Sequence, residues 1–114
     1  DCSSAAPEVL DQTPLGSFFD ARSISAFLGV RKPDPRMYSH VLDLLQVRGE
    51  DCLYVGDGNS EELLGAKEFG MTTVWVDNGT EQHWRERFVP HGDYTVTSLT
   101  ELIPLLDVIQ NQPN

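Results

Sequence analysis

Asp57 directly follows the apolar run Leu53-Tyr54-Val55 and stands between Gly56 and Gly58, two residues small enough to let an ion or ligand approach the backbone. A carboxylate so placed can hold Mg²⁺, which takes one or two carboxylates together with waters and phosphate oxygens. An ordinary polar residue in a strand-to-helix turn accounts for it equally well. Lys32 lies in the turn Arg31-Lys32-Pro33-Asp34-Pro35, where two prolines stiffen the backbone while the ammonium stays mobile. Such a lysine can neutralise a phosphoryl group as a point charge. A solvated surface lysine is the plain alternative. Glu61 and Glu62 follow Asp57, and one of them can orient Lys32 or a metal-bound water. Asn59 with Glu62 three residues on also reads as a capping box, and acids in a first turn favour the helix dipole.

The elements that must position these residues are legible in outline. The first 20 residues read as loop or a short helix, and Asp20 to Ser25 as a strand. Asp34 is a suitable N-cap with Pro35 at the first helical position. The helix that follows is expected to bury Tyr38, Val41, Leu42, Leu44 and Leu45 at helical spacing and to end near Gln46. Leu53 to Gly56 reads as a strand buried on both faces. A helix is expected from Asn59 to Phe69, stopped by Gly70, then a strand from Thr72 to Val76. A short helix around Glu81 to Arg87 and a strand at Tyr94 to Val96 come next. A last helix has Leu99, Leu102, Ile103, Leu106 and Ile109 on one face. Strands alternating with helices predict an α/β fold with a parallel sheet, whose ligand site lies at the carboxyl ends of the strands. That end is Gly56-Asp57-Gly58-Asn59.

Composition narrows the partners. The 114 residues carry a net charge of −10, from 18 acidic against 8 basic side chains. Nucleic acid and anionic membrane surfaces both call for clustered Lys and Arg, so neither is an expected partner. No apolar run reaches the roughly 20 residues that span a bilayer. Cys2 and Cys52 are too few for a disulfide framework, and with His40, His83 and His91 they make no zinc spacing. A cytoplasmic setting is the expectation. The chain starts at Asp1 rather than Met, and residues upstream of it are expected.

Several of these segments together resemble one family. Arg31-Lys32-Pro33-Asp34-Pro35-Arg36-Met37-Tyr38 is similar to the "RKPDPRIF" stretch of haloacid-dehalogenase (HAD) type hydrolases, whose Lys is the third motif. About 20 residues later, Leu53-Tyr54-Val55-Gly56-Asp57-Gly58-Asn59-Ser60-Glu61-Glu62-Leu63-Leu64-Gly65-Ala66 resembles the fourth motif, hhhGDxxxxDxxGA. Gly70-Met71-Thr72-Thr73-Val74-Trp75-Val76 matches the "GMRTVWV" continuation, and Asp93 to Leu102 has the family's kind of ending. The resemblance covers residues 18 to 108, with the motifs in order and at the family's intervals.

The resemblance implies a HAD-like Rossmannoid parallel sheet with flanking helices, of which this chain holds the C-terminal part. An upstream DxD aspartate would attack phosphorus, or carbon in the dehalogenases. Lys32 would offset charge, Asp57 would bind Mg²⁺, and Glu62 would stand for the second acid of motif four, with Glu61 replacing a frequent Asn. Asp1-Cys2-Ser3-Ser4 looks like the tail of motif two, which would put Asp1 and Ser3 beside the phosphate. No DxDxT segment occurs in residues 1–114, so the nucleophile strand is missing and the N-terminal half of the core is the expected partner, in the same chain or another. The interval from Asp1 to Lys32 leaves no room for a cap domain. The reading is a Mg²⁺-dependent phosphatase of a small phosphorylated metabolite. The alternatives are a catalytically inactive HAD-like binding or regulatory module and, less well matched to the Lys32 turn, a receiver-like or flavodoxin-like domain.

Overall fold

The computed structural model describes residues 2–77, 79 and 92–112. The expected helix at Glu81 to Arg87, and Asp1, lie outside them. Helix α1 spans Ala6–Asp11 with Pro7 in its first turn, and a 3₁₀ turn follows at Pro14–Phe18. Helix α2 is a single turn, Ser25–Leu28, ended by Gly29 in a left-handed conformation. Helix α3 spans Pro35–Leu45 and starts as its sequence dictates: the Asp34 carboxylate accepts from the Arg36 N–H at 2.9 Å. It turns Met37, Tyr38 and Leu42 inward and half-buries Val41, whereas Leu44 and Leu45, expected to be buried, are exposed because nothing packs over that side of the helix among the described residues. Helix α4 spans Glu62–Glu68 and buries Leu63 and Ala66, and helix α5 spans Leu102–Gln110 after a 3₁₀ turn at Leu99–Glu101.

Three parallel strands form the sheet in the order β1 (Leu53–Gly56), β2 (Thr72–Val76), β3 (Tyr94–Val96). Leu53 pairs with Thr72 and Gly56 with Trp75, while Val74 pairs with Tyr94 and Val76 with Val96. The link from β1 to β2 runs through α4, which packs on both strands, as parallel neighbours require. Because the strands run one way, their carboxyl ends share one edge. The core cluster joins Met37, Tyr38 and Leu42 of α3 to Ala66 and Met71. Gly65 makes this possible: a Cβ there would stand 2.5 Å from the Tyr38 hydroxyl, so only glycine lets α3 and α4 close on each other.

Four local expectations give way to tertiary structure. Asp20 to Ile24 is not a strand, and Ser25 opens α2. The Ser25 hydroxyl is tied to Cys2, accepting from its N–H at 2.7 Å and donating to its carbonyl at 3.0 Å, a link between distant residues that no local pattern announces. The helix expected from Asn59 starts only at Glu62, because Gly58, Ser60 and Glu61 are all left-handed, at φ of 87°, 57° and 53°. Strand β1 is half-buried, since among the described residues it pairs on one side only, with β2. In the last helix, Leu102, Leu105 and Ile109 are half-buried, while Ile103 and Leu106 face solvent, as does Leu99 in the turn before it.

Candidate active site

Glu62 organises the site. It is buried, and its carboxylate takes three donors: Lys32 Nζ at 2.8 Å and the Tyr54 hydroxyl at 2.8 Å on Oε1, and the Gly58 N–H at 2.9 Å on Oε2. The Tyr38 hydroxyl donates to the Glu62 carbonyl at 2.8 Å, fixing the backbone from which that carboxylate extends. A charge withdrawn from water is tolerated only when paired and hydrogen-bonded in this way. Gly56 supplies the space: a Cβ there would come within 2.4–2.8 Å of the Glu62 carboxyl atoms.

This arrangement replaces two sequence expectations. The capping box is not formed, because Glu62 reaches the N–H of Gly58 instead of that of Asn59, whose own side chain accepts from Ser60 N at 2.8 Å. The Lys32 ammonium is paired with Glu62 and is partly buried, where a solvated surface lysine was the plain alternative. The Lys32–Pro33 peptide of its turn is cis, and Lys32 lines a cleft with Gly56 and Asp57 at the carboxyl end of β1.

Asp57 is exposed just past the end of β1. Its Oδ1 accepts from Asn59 N–H at 2.9 Å, which folds the turn, and its carbonyl accepts from the Trp75 indole at 2.9 Å. Lys32, Gly56, Asp57, Asn59, Ser60 and Glu62 share the walls of one cleft of about 490 Å³. The structure therefore brings Lys32, Asp57 and Glu62 together. Ser3 is not among the residues lining that cleft: it is exposed, and its carbonyl accepts from the Ala6 N–H at the start of α1. Asp1 lies outside the described residues.

Tyr54 and Tyr38 were not visible as site residues from sequence. Tyr54 reads as a strand hydrophobe and Tyr38 as a helix-face aromatic, and only the fold turns both hydroxyls onto Glu62. Burial and the Glu62 charge push both phenols well above the usual tyrosine range, so they remain protonated donors. A second network stands away from the cleft. Lys67 pairs with Asp93, whose other oxygen accepts from the Thr73 N–H at 2.9 Å. Burial pushes the Asp93 carboxyl up, but the bonds from Lys67 and Thr73 outweigh it and hold the group below the usual range.

The sequence and the fold find a match among known proteins. The HAD-hydrolase-like family model matches residues 29–102. The chain belongs to the HAD-like hydrolases. Within that family it is similar to glyceraldehyde 3-phosphate phosphatase of Pyrococcus furiosus, 34% identical over 93 residues that make up 82% of this chain and 39% of the relative. It is also similar to N-acylneuraminate-9-phosphatase of Mus musculus, 33% identical over 90% of this chain and 41% of the relative. Among solved structures, a HAD phosphatase from Thermococcus onnurineus superposes with a TM-score of 0.76 at 27% identity, over 90% of this chain and 46% of that one. The chain spans about two fifths of the length of the relatives it matches. Among the described residues no helix is long and apolar enough to cross a membrane.

Proposed function

We propose that this chain is the C-terminal part of the core of a HAD phosphatase acting on a small phosphorylated metabolite. The observation that supports the reading most is the Lys32–Glu62 pair at 2.8 Å in the cleft that Asp57 also lines, at the carboxyl end of β1. A fixed ammonium in a partly buried cleft stabilises charge developing on a transferring phosphoryl group, and it needs no reorganisation as that charge appears. The named relatives, both phosphatases of small metabolites, support the substrate class.

The chemistry divides between this chain and the segment that would precede it. An upstream aspartate oxygen bonds to phosphorus as the ester oxygen leaves and takes up a proton from water or from an upstream acid. Water then cleaves the aspartyl-phosphate and releases inorganic phosphate, so one hard step becomes two easier ones. Lys32 offsets the charge of nucleophile and transferring group, and Glu62 keeps the ammonium in place. The nucleophile strand would seat on the open edge of β1, beside an apolar groove of about 300 Å³ lined by Met37, Val41, Leu45, Leu53 and Met71.

Mg²⁺ suits the donor chemistry only in part. Both oxygens of Glu62 are engaged by other donors, so Asp57 is the carboxylate this chain would offer. One carboxylate completed by waters, phosphate oxygens and an upstream carboxylate is an ordinary Mg²⁺ set. Among the described residues no group of three or more candidate ligands occurs. When bound, the ion would neutralise phosphate oxygens.

The isolated chain, given Mg²⁺ and p-nitrophenyl phosphate, is expected to show no turnover, because its site keeps charge compensation without a nucleophile. Turnover that disappears in Asp57→Asn would overturn the proposed division of labour.

A further inference from the structure

We propose that Tyr54 is a positioning residue for Lys32, acting through Glu62. Oε1 of Glu62 accepts from both Lys32 Nζ and the Tyr54 hydroxyl, each at 2.8 Å, so the tyrosine and the ammonium meet on one oxygen. The Gly58 N–H holds the other oxygen. A carboxylate turns readily about its terminal torsion, whose energy surface is broad. The Gly58 bond alone leaves Oε1 restrained only by a flexible lysine; the Tyr54 hydroxyl, carried on a rigid ring in a strand, sets its direction. That ring is itself fixed by packing against Tyr38, with centroids 5.8 Å apart.

The identity of residue 62 fits this geometry. An aspartate would end one methylene short, about 1.5 Å nearer its own backbone. The extra reach of Glu62 carries Oε1 to the tyrosine, so Tyr54 and Glu62 form one unit with Lys32 as its output. Tyr54 touches no reacting atom in this arrangement. Its effect on turnover rests on the hydrolase reading above, while its effect on Lys32 rests on hydrogen-bond geometry alone.

The test uses Tyr54→Phe, Glu62→Asp and the double variant in the native-length protein, with p-nitrophenyl phosphate as probe. Tyr54→Phe keeps the ring and removes only the hydroxyl. It is expected to lower kcat about tenfold, the scale of a small misplacement of a charged group, with KM changed less than about threefold. In the Glu62→Asp background the same substitution is expected to add nothing, because the retracted carboxylate no longer meets the tyrosine. Wild-type kcat in Tyr54→Phe, or a double variant that adds the full loss to that of Glu62→Asp, would overturn the proposal. The Lys32 ¹⁵Nζ resonance separates this outcome from failure of the hydrolase reading. If no variant and no wild type turns the probe over, that reading falls. The resonance then decides the proposal alone: sharp in the wild type and broadened in Tyr54→Phe supports it, and unchanged between them contradicts it.

Discussion

Three donors converge on one buried carboxylate, and that makes Glu62 the residue on which both the fold and the cleft depend. Glu62→Ala is expected to cost about 2–3 kcal/mol in urea unfolding, because the Tyr54 hydroxyl and the Gly58 N–H both lose their acceptor. A loss under about 0.5 kcal/mol, the range of ordinary surface substitutions, would contradict its central place. Asp93 is the residue to watch in acid. Its folded-state pKa lies below the ordinary 3.8, so its contribution is present above that pH and lost as pH falls through the folded value. Asp93→Asn is therefore expected to flatten the acid limb of the stability profile below about pH 4, measured as urea midpoints. An unchanged acid limb would show that the Lys67 and Thr73 bonds do not stabilise the folded state. Sequence indicated Lys32, Asp57 and Glu62 through motif spacing. Tyr38 and Tyr54 escaped, because a tyrosine in an apolar pattern gives no sign of where its hydroxyl will point.

At the level of elements, regular segments with strong local signals were the legible ones. Asp34-Pro35 started α3, and the short apolar runs at Leu53 and Thr72 became paired strands. Segments decided by distant partners were not. Ser25, at the start of α2, has its hydroxyl bonded to Cys2, and α4 starts only at Glu62, whose carboxylate is bonded to Gly58 and Lys32. The second case leaves Ser60 and Glu61 in the left-handed region, which non-glycine residues adopt at a cost. Ser60→Gly and Glu61→Gly are each expected to raise stability by about 0.5–1 kcal/mol, read as an upward shift of the thermal midpoint. A lowered midpoint in both would mean that the left-handed turn is not a source of strain.

Across the whole molecule, parallel strands set the carboxyl ends of β1, β2 and β3 on one edge, and the Lys32 turn brings its ammonium to that edge across 30 residues of sequence to Glu62. The fold class was legible because alternating strands and helices with short links leave few topologies. The outer faces were not. An apolar helix such as α5 predicts a buried stripe, yet Ile103 is 71% exposed, as is Phe18 of the first 3₁₀ turn at 78%. Periodicity reports which residues are apolar, but not what packs on them. The role of the Lys32 ammonium is measured by hydrolysis of p-nitrophenyl phosphate by the native-length protein, wild type against Lys32→Ala. Expected are Mg²⁺-dependent turnover in the wild type and a fall in kcat of about 100-fold or more in the variant, the scale of losing one preorganised charge-stabilising group. Turnover that survives Lys32→Ala at the wild-type rate would contradict that role.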